Sequence, residues 1–350
     1  MTRGLVIGKF YPPHKGHKFL IDTAVAHTGH VDVVVCDHPS QTIPGDLRAR
    51  WLREIHPQTS VHVIEDFGDD ENSARWAKAV RELLGYSPDV VFTSEDYGDT
   101  FAYFLGAQHV MVDRERMAAP VSGTMIRCAP LQSWEYLEPC VRAYFAKRIC
   151  VVGAESTGTT AVAQALAEHY STVWLPEYGR QYTAEKLAAS GASGPSCTWE
   201  SEDFEIIARR HLEEEDRLAR EANRILICDT DAMATAVWHE RYMGTRSAAV
   251  EAMAAARKYD LYLLTDCDIP FVQDGMRDGE HIRQWMTNRF REELEARRAR
   301  WIWLRGSREA RMAAAVKAVD EMLEESGWDS RIAQANCEFQ PFHQSIEFAG

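Results

Sequence analysis

Two histidines three residues apart, His14 and His17, sit in the segment GKFYPPHKGH, Gly8 to His17. On the first turn of a helix that spacing points both imidazoles the same way, so both can donate to one phosphate. Gly8 and Gly16 let backbone approach a ligand closely, Pro12 and Pro13 stiffen the loop, and a helix N-terminus adds its own attraction for anions. By itself HxxH more often marks packing or surface residues, and it suits metal ligands equally. Lys9 and Lys15 bring positive charge nearby, although a solvated position suits either. A second segment, VSGTMIR, carries Ser122, Thr124 and Arg127. An arginine there can clamp triphosphate oxygens with two parallel N–H bonds, its plainer role being to cap a surface helix.

A third segment, GAESTGTT, has the spacing of a phosphate-binding loop, GxxxxGK[ST], with Gly153, Ser156, Gly158 and Thr160 in place. Thr159 stands where that pattern has lysine, so the positive charge that bridges the terminal phosphates is missing. Backbone N–H groups can still cradle phosphate, and Thr160 can still bind Mg2+. Lys147 and Arg148 lie at the far end of a four-residue strand, roughly 13 Å away at about 3.3 Å per residue, and are poor substitutes. Arg277 and Arg283, in the Gly-bracketed stretch QDGMRDGEHIR, are better placed to close over a nucleotide as a lid.

The apolar run RILIC leads into Asp229 and Asp231. Asp229 has the position of an acid that holds Mg2+ through water, though a buried strand often ends in Asp merely as a cap. PEYGRQY supplies Glu177, which can receive a hydroxyl proton, Tyr178, which can stack on a flat base, and Arg180. Ordinary turn and helix-start chemistry is the competing explanation.

These segments follow apolar runs and open helices, which is where an open α/β sheet presents ligands. LVIG (5–8), VDVVVC (31–36), VHVI (61–64), DVVFTS (89–94) and HVMV (109–112) alternate with helix-like stretches, and the alternation predicts a parallel sheet covered by helices. A helical stretch, WEYLEPCVRAYFAK, follows. The alternation then begins again with ICVV (149–152), TVWL (172–175), RILIC (224–228), DLYLL (260–264) and WIWL (301–304), and a long acidic helix is expected at about 201–223. The fold class is therefore α/β, with two doubly wound parallel-sheet domains, 1–147 and 148–328. A last helix ends at Gly327, a C-terminal cap. Residues 329–350 lack periodicity and receive no role.

At 350 residues the chain exceeds the size at which single cores stop growing, about 250 residues. A formal charge of −14 would repel a nucleic-acid backbone or an anionic membrane, so phosphate must be bound locally. No apolar stretch approaches the roughly 20 residues that span a bilayer, and no signal-peptide pattern precedes the first strand, so a cytoplasmic protein is expected. The eight cysteines form no CxxC pair and mostly lie in apolar runs, which reads as buried thiols rather than a metal cluster.

Gly8, Phe10, Pro12, His14, Gly16 and His17 fill every fixed position of GxFxPxHxGH, and the segment resembles the signature of the HxGH nucleotidyltransferase superfamily. Ser122, Thr124 and Arg127 resemble its partner motif, SxTxxR. With GAESTGTT, PEYGRQY, ICDTD and QDGMRDG in that order, the chain resembles the bifunctional NadR-type family over roughly residues 3 to 325. In that family a nicotinamide-nucleotide adenylyltransferase is fused to a ribosylnicotinamide kinase.

The resemblance implies a Rossmann-like nucleotidyltransferase domain and then a P-loop kinase-like domain. The second would phosphorylate nicotinamide riboside with ATP, and the first would join the AMP of a further ATP to the resulting nicotinamide mononucleotide, giving NAD and pyrophosphate. His14, His17 and Arg127 would act with Mg2+ in adenylyl transfer, beside Gly8, Lys9, Phe10, Gly16, Ser122 and Thr124 on ATP. Gly153, Ser156, Gly158, Thr159, Thr160, Arg277 and Arg283 would serve ATP in the second domain, Thr160 and Asp229 the metal, Glu177 and Asp229 catalysis, and Tyr178, Arg180 and Asp231 the riboside. Family members are often oligomers, so self-association is implied, while nucleic acid and membranes are not expected partners. Some relatives carry an N-terminal DNA-binding domain; this sequence starts at the first adenylyltransferase strand, so repression of transcription is not expected. Thr159 keeps open a second-domain role as a nucleotide sensor without kinase activity. The first two motifs alone also allow another acceptor, such as a pantetheine or a sugar phosphate.

Overall fold

A computed structural model describes residues 1–69, 72–190, 198–274 and 277–327. The 329–350 tail, Cys197, Cys337 and the Gly275–Met276 pair of the expected lid lie outside the described residues. The chain divides into two compact units, Met1–Phe145 and a second beginning at Ala146.

In the first unit β1 (Arg3–Gly8), β2 (His30–Asp37), β3 (Ser60–Glu65), β4 (Val90–Thr93) and β5 (Gln108–Met111) form one sheet in the order β3-β2-β1-β4-β5. All its pairings are parallel. The middle strands are buried on both faces, as continuous apolar runs require. Alternate residues serve opposite layers: Val6, Val33 and Val35 pack with Leu20, Ile21 and Ala24 of α1 (Lys15–His27), while Leu5, Ile7 and Val34 pack with Trp76 and Val80 of α3 (Ser73–Leu84). The strand order reverses direction at β1, between β2 and β4, so a crevice opens at the carboxyl ends of β1 and β4.

The stretch expected as one helix after VSGTMIR is broken. A 3-10 turn at Trp134–Tyr136 precedes a separate helix, Pro139–Phe145, because proline fits the first helical position but cannot continue a helix.

The second unit orders its parallel strands β10-β9-β6-β8-β7, with β6 (Lys147–Gly153), β7 (Trp174–Leu175), β8 (Ile225–Asp229), β9 (Leu261–Thr265) and β10 (Trp301–Leu304). β7 holds two of the four residues expected. Two residues before it, Thr172 turns its hydroxyl to the Ile225 carbonyl at 2.5 Å and receives the Asn223 N–H at 2.9 Å, so side-chain bonds stand in for the ladder there. The acidic helix, α9 (Ser201–Leu218), opens with a reciprocal capping box between Glu200 and Asp203. The last helix, α13 (Arg308–Glu325), is followed by Gly327 at φ +79°. Of the six cysteines in the described residues, Cys36, Cys140, Cys150 and Cys228 are buried as thiols.

One buried cation fixes the approach to the first crevice. Arg48, on α2 (Gly45–Ile55), is fully buried and bonds the carbonyls of Ile43 (3.0 Å), Cys36 (3.1 Å) and Lys9, the carboxylate of Asp37 (2.5 Å) and the amide of Gln41 (2.6 Å). It joins the loop after β1 to the end of β2. Arg48→Met should lower stability by about 3–5 kcal/mol, because three carbonyls and a carboxylate lose their partner at once. Urea unfolding checks this, and a loss under 1 kcal/mol would mean that the loops hold without it.

Candidate nucleotide sites

In the first unit the chain leaves β1 at Gly8, turns through Phe10 at φ +43° and a cis Tyr11–Pro12 bond, and enters α1. His14 is the cap of that helix: its Nδ1 accepts from the backbone N–H of Gly16 (3.1 Å) and of His17 (3.4 Å). An accepting Nδ1 assigns the proton of a neutral ring to Nε2. His17 stacks on His14 with ring centres 3.7 Å apart, and buried Phe10 meets His17 edge-on at 5.0 Å. A Cβ on Gly16 would lie 3.0 Å from the His14 ring, so glycine lets the cap close.

The two imidazoles do not share one role. His17 lines a cavity of about 450 Å³, whereas His14 is buried behind it, because it stands before the helix as its cap instead of on the first turn. Burial holds His14 down at about 4, with the Arg116 charge adding to the effect. Burial, then His14 and Arg116, keep His17 well below the ordinary histidine value. Both rings are neutral at pH 7.

Lys9, Ser122, Thr124 and Arg127 border the same cavity. Ser122 caps α5 (Gly123–Cys128) by accepting from Met125 N–H at 3.2 Å. Arg127 donates to Thr124 Oγ1 at 3.0 Å and to the Tyr11 carbonyl, and its guanidinium lies 4.4 Å from the Tyr11 ring centre. A Cβ on Gly123 would come within 2.5 Å of the Tyr11 carbonyl oxygen, so the two motifs abut through that glycine. Lys9 Nζ is 3.7 Å from buried Asp66. Arg116, which also lines the cavity, carries no motif and was missed in the sequence.

In the second unit a cavity of about 320 Å³ opens at the carboxyl ends of β6 and β8. Gly153 ends β6 where a Cβ would lie 2.0 Å from Thr265 Oγ1, and Thr265 in turn bonds Thr157 at 2.7 Å. Ser156 (φ +57°) and Gly158 (φ +85°) curl the loop into α7 (Thr159–His169), whose first N–H groups no side chain caps. Such a start is a ready anion site. Thr160 donates to Asp229 Oδ2 at 2.5 Å. Burial raises Asp229, and burial followed by the charge of Asp229 pushes Glu177 up to about 7. Glu177, Arg180, Thr159 and Arg277 line the same cavity.

Three expected site residues lie elsewhere. Asp231 is buried as the cap of α10 (Ala232–Met243), accepting from Ala234 N–H (2.8 Å) and Tyr262 O–H (2.7 Å), and it does not line the cavity. Tyr178 starts α8 (Tyr178–Ser190) outside the lining; the aromatic walls are Trp199, Phe204, Trp238 and Tyr242, from α10 and the start of α9. Arg283 is buried on the carbonyls of Ile269 (3.0 Å) and Ser156 (3.1 Å), so it braces the loop from behind and is no lid. Lys147 and Arg148 pair with Asp260 and Glu215. Among the described residues no group of three metal-ligating side chains occurs, but Asp229 beside Thr160 fits Mg2+, which keeps water and phosphate oxygens as most of its ligands. No helix of the described residues is long and apolar enough to cross a membrane.

Fold and sites together define a two-unit α/β protein with a cavity at the strand carboxyl ends of each sheet, beside a strand-to-helix turn. The profile of a family described as an AAA domain matches residues 148–311. The trifunctional NAD biosynthesis/regulator protein NadR of Escherichia coli K12 is 28% identical over 301 residues, covering 79% of this chain and 72% of that protein. Its counterpart in Salmonella typhimurium LT2 is also 28% identical, covering 93% and 84%. The crystal structure of a NadR protein in complex with NR superposes with a TM-score of 0.76 at 21% identity, over 92% of this chain and 96% of that one. A NadR structure with NAD and AMP-PNP gives 0.74 at 22%, over 94% and 97%. The chain is a homologue of NadR.

Buried titrating groups give the two units opposite pH responses. His14 takes a proton at about 6.5 when unfolded and at about 4 when folded, so its contribution is complete above 6.5 and lost as pH falls toward 4; His17 and His56 act in the same direction. In the second unit Glu177 and Asp231 are raised to about 7 and 6, so the folded state binds their protons first and gains stability as pH falls from 7 toward 4.5, with His211 opposing. Between pH 7.5 and 5 the first unit should lose stability relative to the second, His14 alone removing roughly 2 kcal/mol from the first. Hydrogen exchange resolved by segment measures this, and equal responses of α1 and α7 would contradict it.

Proposed function

We propose that the protein acts in NAD biosynthesis, with two consecutive reactions. In the first unit the phosphate oxygen of nicotinamide mononucleotide attacks the α-phosphorus of ATP, the bond to the bridging oxygen breaks, and pyrophosphate leaves with NAD as product. In the second unit the 5′-hydroxyl oxygen of nicotinamide riboside attacks the γ-phosphorus of ATP, its proton passes to Glu177, and ADP leaves. The observation that carries the reading is the stacked His14–His17 pair, with His17 beside Ser122, Thr124 and Arg127 at one cavity. The NadR relatives supply the acceptor, since their name and the molecules in their crystals are those of NAD biosynthesis.

The residues divide the work by charge. His17, neutral with an unpartnered buried Nδ1, can donate to the triphosphate without repelling Arg127 and Arg116 before ATP arrives. His14 sets the direction of its partner ring. In the second unit a carboxyl titrating near 7 matches the task of a general base at neutral pH. Mg2+, held at Asp229 and Thr160 when bound, would neutralise phosphate charge. The uncapped start of α7 then offers N–H donors to the phosphates. The competing reading of the second unit is a nucleotide sensor, favoured by Thr159.

The two chemistries release different products, so one assay separates them. With ATP and Mg2+, the mononucleotide should yield pyrophosphate and NAD, and the riboside should yield ADP. His17→Ala should lower pyrophosphate release by roughly 10²- to 10³-fold, the loss of about 2–4 kcal/mol of barrier stabilisation. Activity on neither substrate would refute the assignment, and pyrophosphate without ADP would leave the sensor. Glu177→Gln should lower ADP formation about 10²-fold or more, and the wild-type rate should climb with pH through about 7 as the base deprotonates. A flat profile from pH 6 to 8 would remove Glu177 as the base.

A further inference from the structure

A phosphate-binding loop with Thr159 in the lysine position lacks the point charge that normally bridges the terminal phosphates. The cavity it borders is acidic, with Glu155, Glu177 and Asp229 in its lining. Several arginines pack around the loop, but three are engaged away from the cavity. Arg283 bonds the Ser156 and Ile269 carbonyls. Arg311, on α13, bonds the carbonyls of Thr157, Asp266 and Gly306 and the carboxylate of Asp268. Arg241 pairs with Glu155 and Asp278 and lies over the rings of Trp238 and Tyr242.

Two cations remain in the lining, Arg180 on the first turn of α8 and Arg277 in the loop after β9. They meet at one atom: Oδ2 of Asp274 lies 2.5 Å from Arg180 Nη2 and 3.3 Å from Arg277 Nε. Their charges act on the reacting end of the cavity, both on Glu177 and Arg180 also on Asp229. The loop that brings Arg277 there is fastened to the phosphate-binding loop at two points. Val272 N–H donates to Ser156 Oγ at 2.8 Å, and Gly279 N–H donates to Glu155 Oε2 at 2.8 Å. Arg241 ties Glu155 to Asp278 beside the second point.

We infer that Arg180 and Arg277, held as a pair by Asp274, supply the charge on the terminal phosphates of ATP that Thr159 cannot. The inference rests on the kinase reading of this cavity. Asp274 is the positioning residue: by sharing one oxygen it offsets the repulsion between two guanidiniums and aims both at the same place. Arg277 Nη1 is held on the Val272 carbonyl at 2.6 Å, which leaves Arg277 Nη2 and the other N–H groups of Arg180 for phosphate oxygens. A planar guanidinium pair replaces a single ammonium, so the loop tolerates a threonine at its seventh position.

The test measures ADP formed from ATP and nicotinamide riboside by the full chain, with kcat and the KM for ATP separated. Arg180→Ala and Arg277→Ala should each lower kcat/KM for ATP by at least tenfold, with the larger change in kcat, and Lys at either position should recover part of the loss. Adding Thr159→Lys to the double alanine variant should restore at least a tenth of wild-type kcat/KM, because the missing charge returns by the lysine route. Thermal unfolding within a few degrees of wild type establishes that each variant is folded. Variants within twofold of wild type would overturn the inference, and so would a loss in folded variants that Thr159→Lys does not repair. Absence of ADP from the wild-type chain would instead defeat the kinase reading itself.

Discussion

Both candidate sites depend on one constraint of the polypeptide backbone. A helix begins with N–H groups that its own turns cannot satisfy, and a buried parallel strand delivers the chain to that point at the edge of its sheet. The two units resolve the constraint differently. In the first, His14 takes two of the orphan donors on its Nδ1, which fixes its proton on the other nitrogen and seats the ring against His17. In the second, Gly158 in the left-handed region offers no side chain, so the donors of α7 stay open for an anion. One helix start is closed by a histidine side chain, and the other carries no side-chain cap.

Around these starts, burial sets the charge states. The histidines of the first unit stay neutral because a charged ring would lose its hydration and face Arg116. Glu177 in the second is raised by the same loss of water together with the carboxylate of Asp229. A single physical cause thus leaves neutral rings at the first cavity and a carboxyl titrating near neutrality at the second. The arginines show the complementary rule. Arg48, Arg283 and Arg311 are buried because each is surrounded by backbone carbonyls, and they stiffen the loops that carry the site. Those that keep N–H groups toward a cavity, Arg127, Arg180 and Arg277, are less enclosed.

Much of this was legible in the sequence. All ten strands of the described residues lie at the apolar runs, and the central ones, buried on both faces, leave no polar alternation to confuse the reading. Loops at the carboxyl ends of strands were identifiable from Gly8, Gly16, Gly153 and Gly158, whose spacing marks tight turns. Boundaries set by side-chain bonds were less visible: Pro139 breaks a stretch that reads as continuous helix, and Thr172 shortens β7 to two residues. Among the site residues, Asp231 and Tyr178 share every local feature of ligand contacts, yet one is buried as a helix cap and neither lines the cavity. Position on a strand end fixes the neighbourhood of a side chain but not its direction.

Local chemistry, then, is what the sequence by itself determined: which segments turn from strand to helix, which of them carry histidine, serine, threonine or arginine for phosphate, and that the second loop lacks its lysine. Tertiary structure alone decided which charges face each cavity. Arg116, Trp199 and Trp238 come to their sites from segments without a motif, and Arg277 lines the second cavity whereas Arg283 holds the loop carbonyls from behind. The reason is physical: a motif depends on backbone geometry over a few residues, whereas the direction of a long side chain depends on which carbonyls and carboxylates the fold brings within its reach.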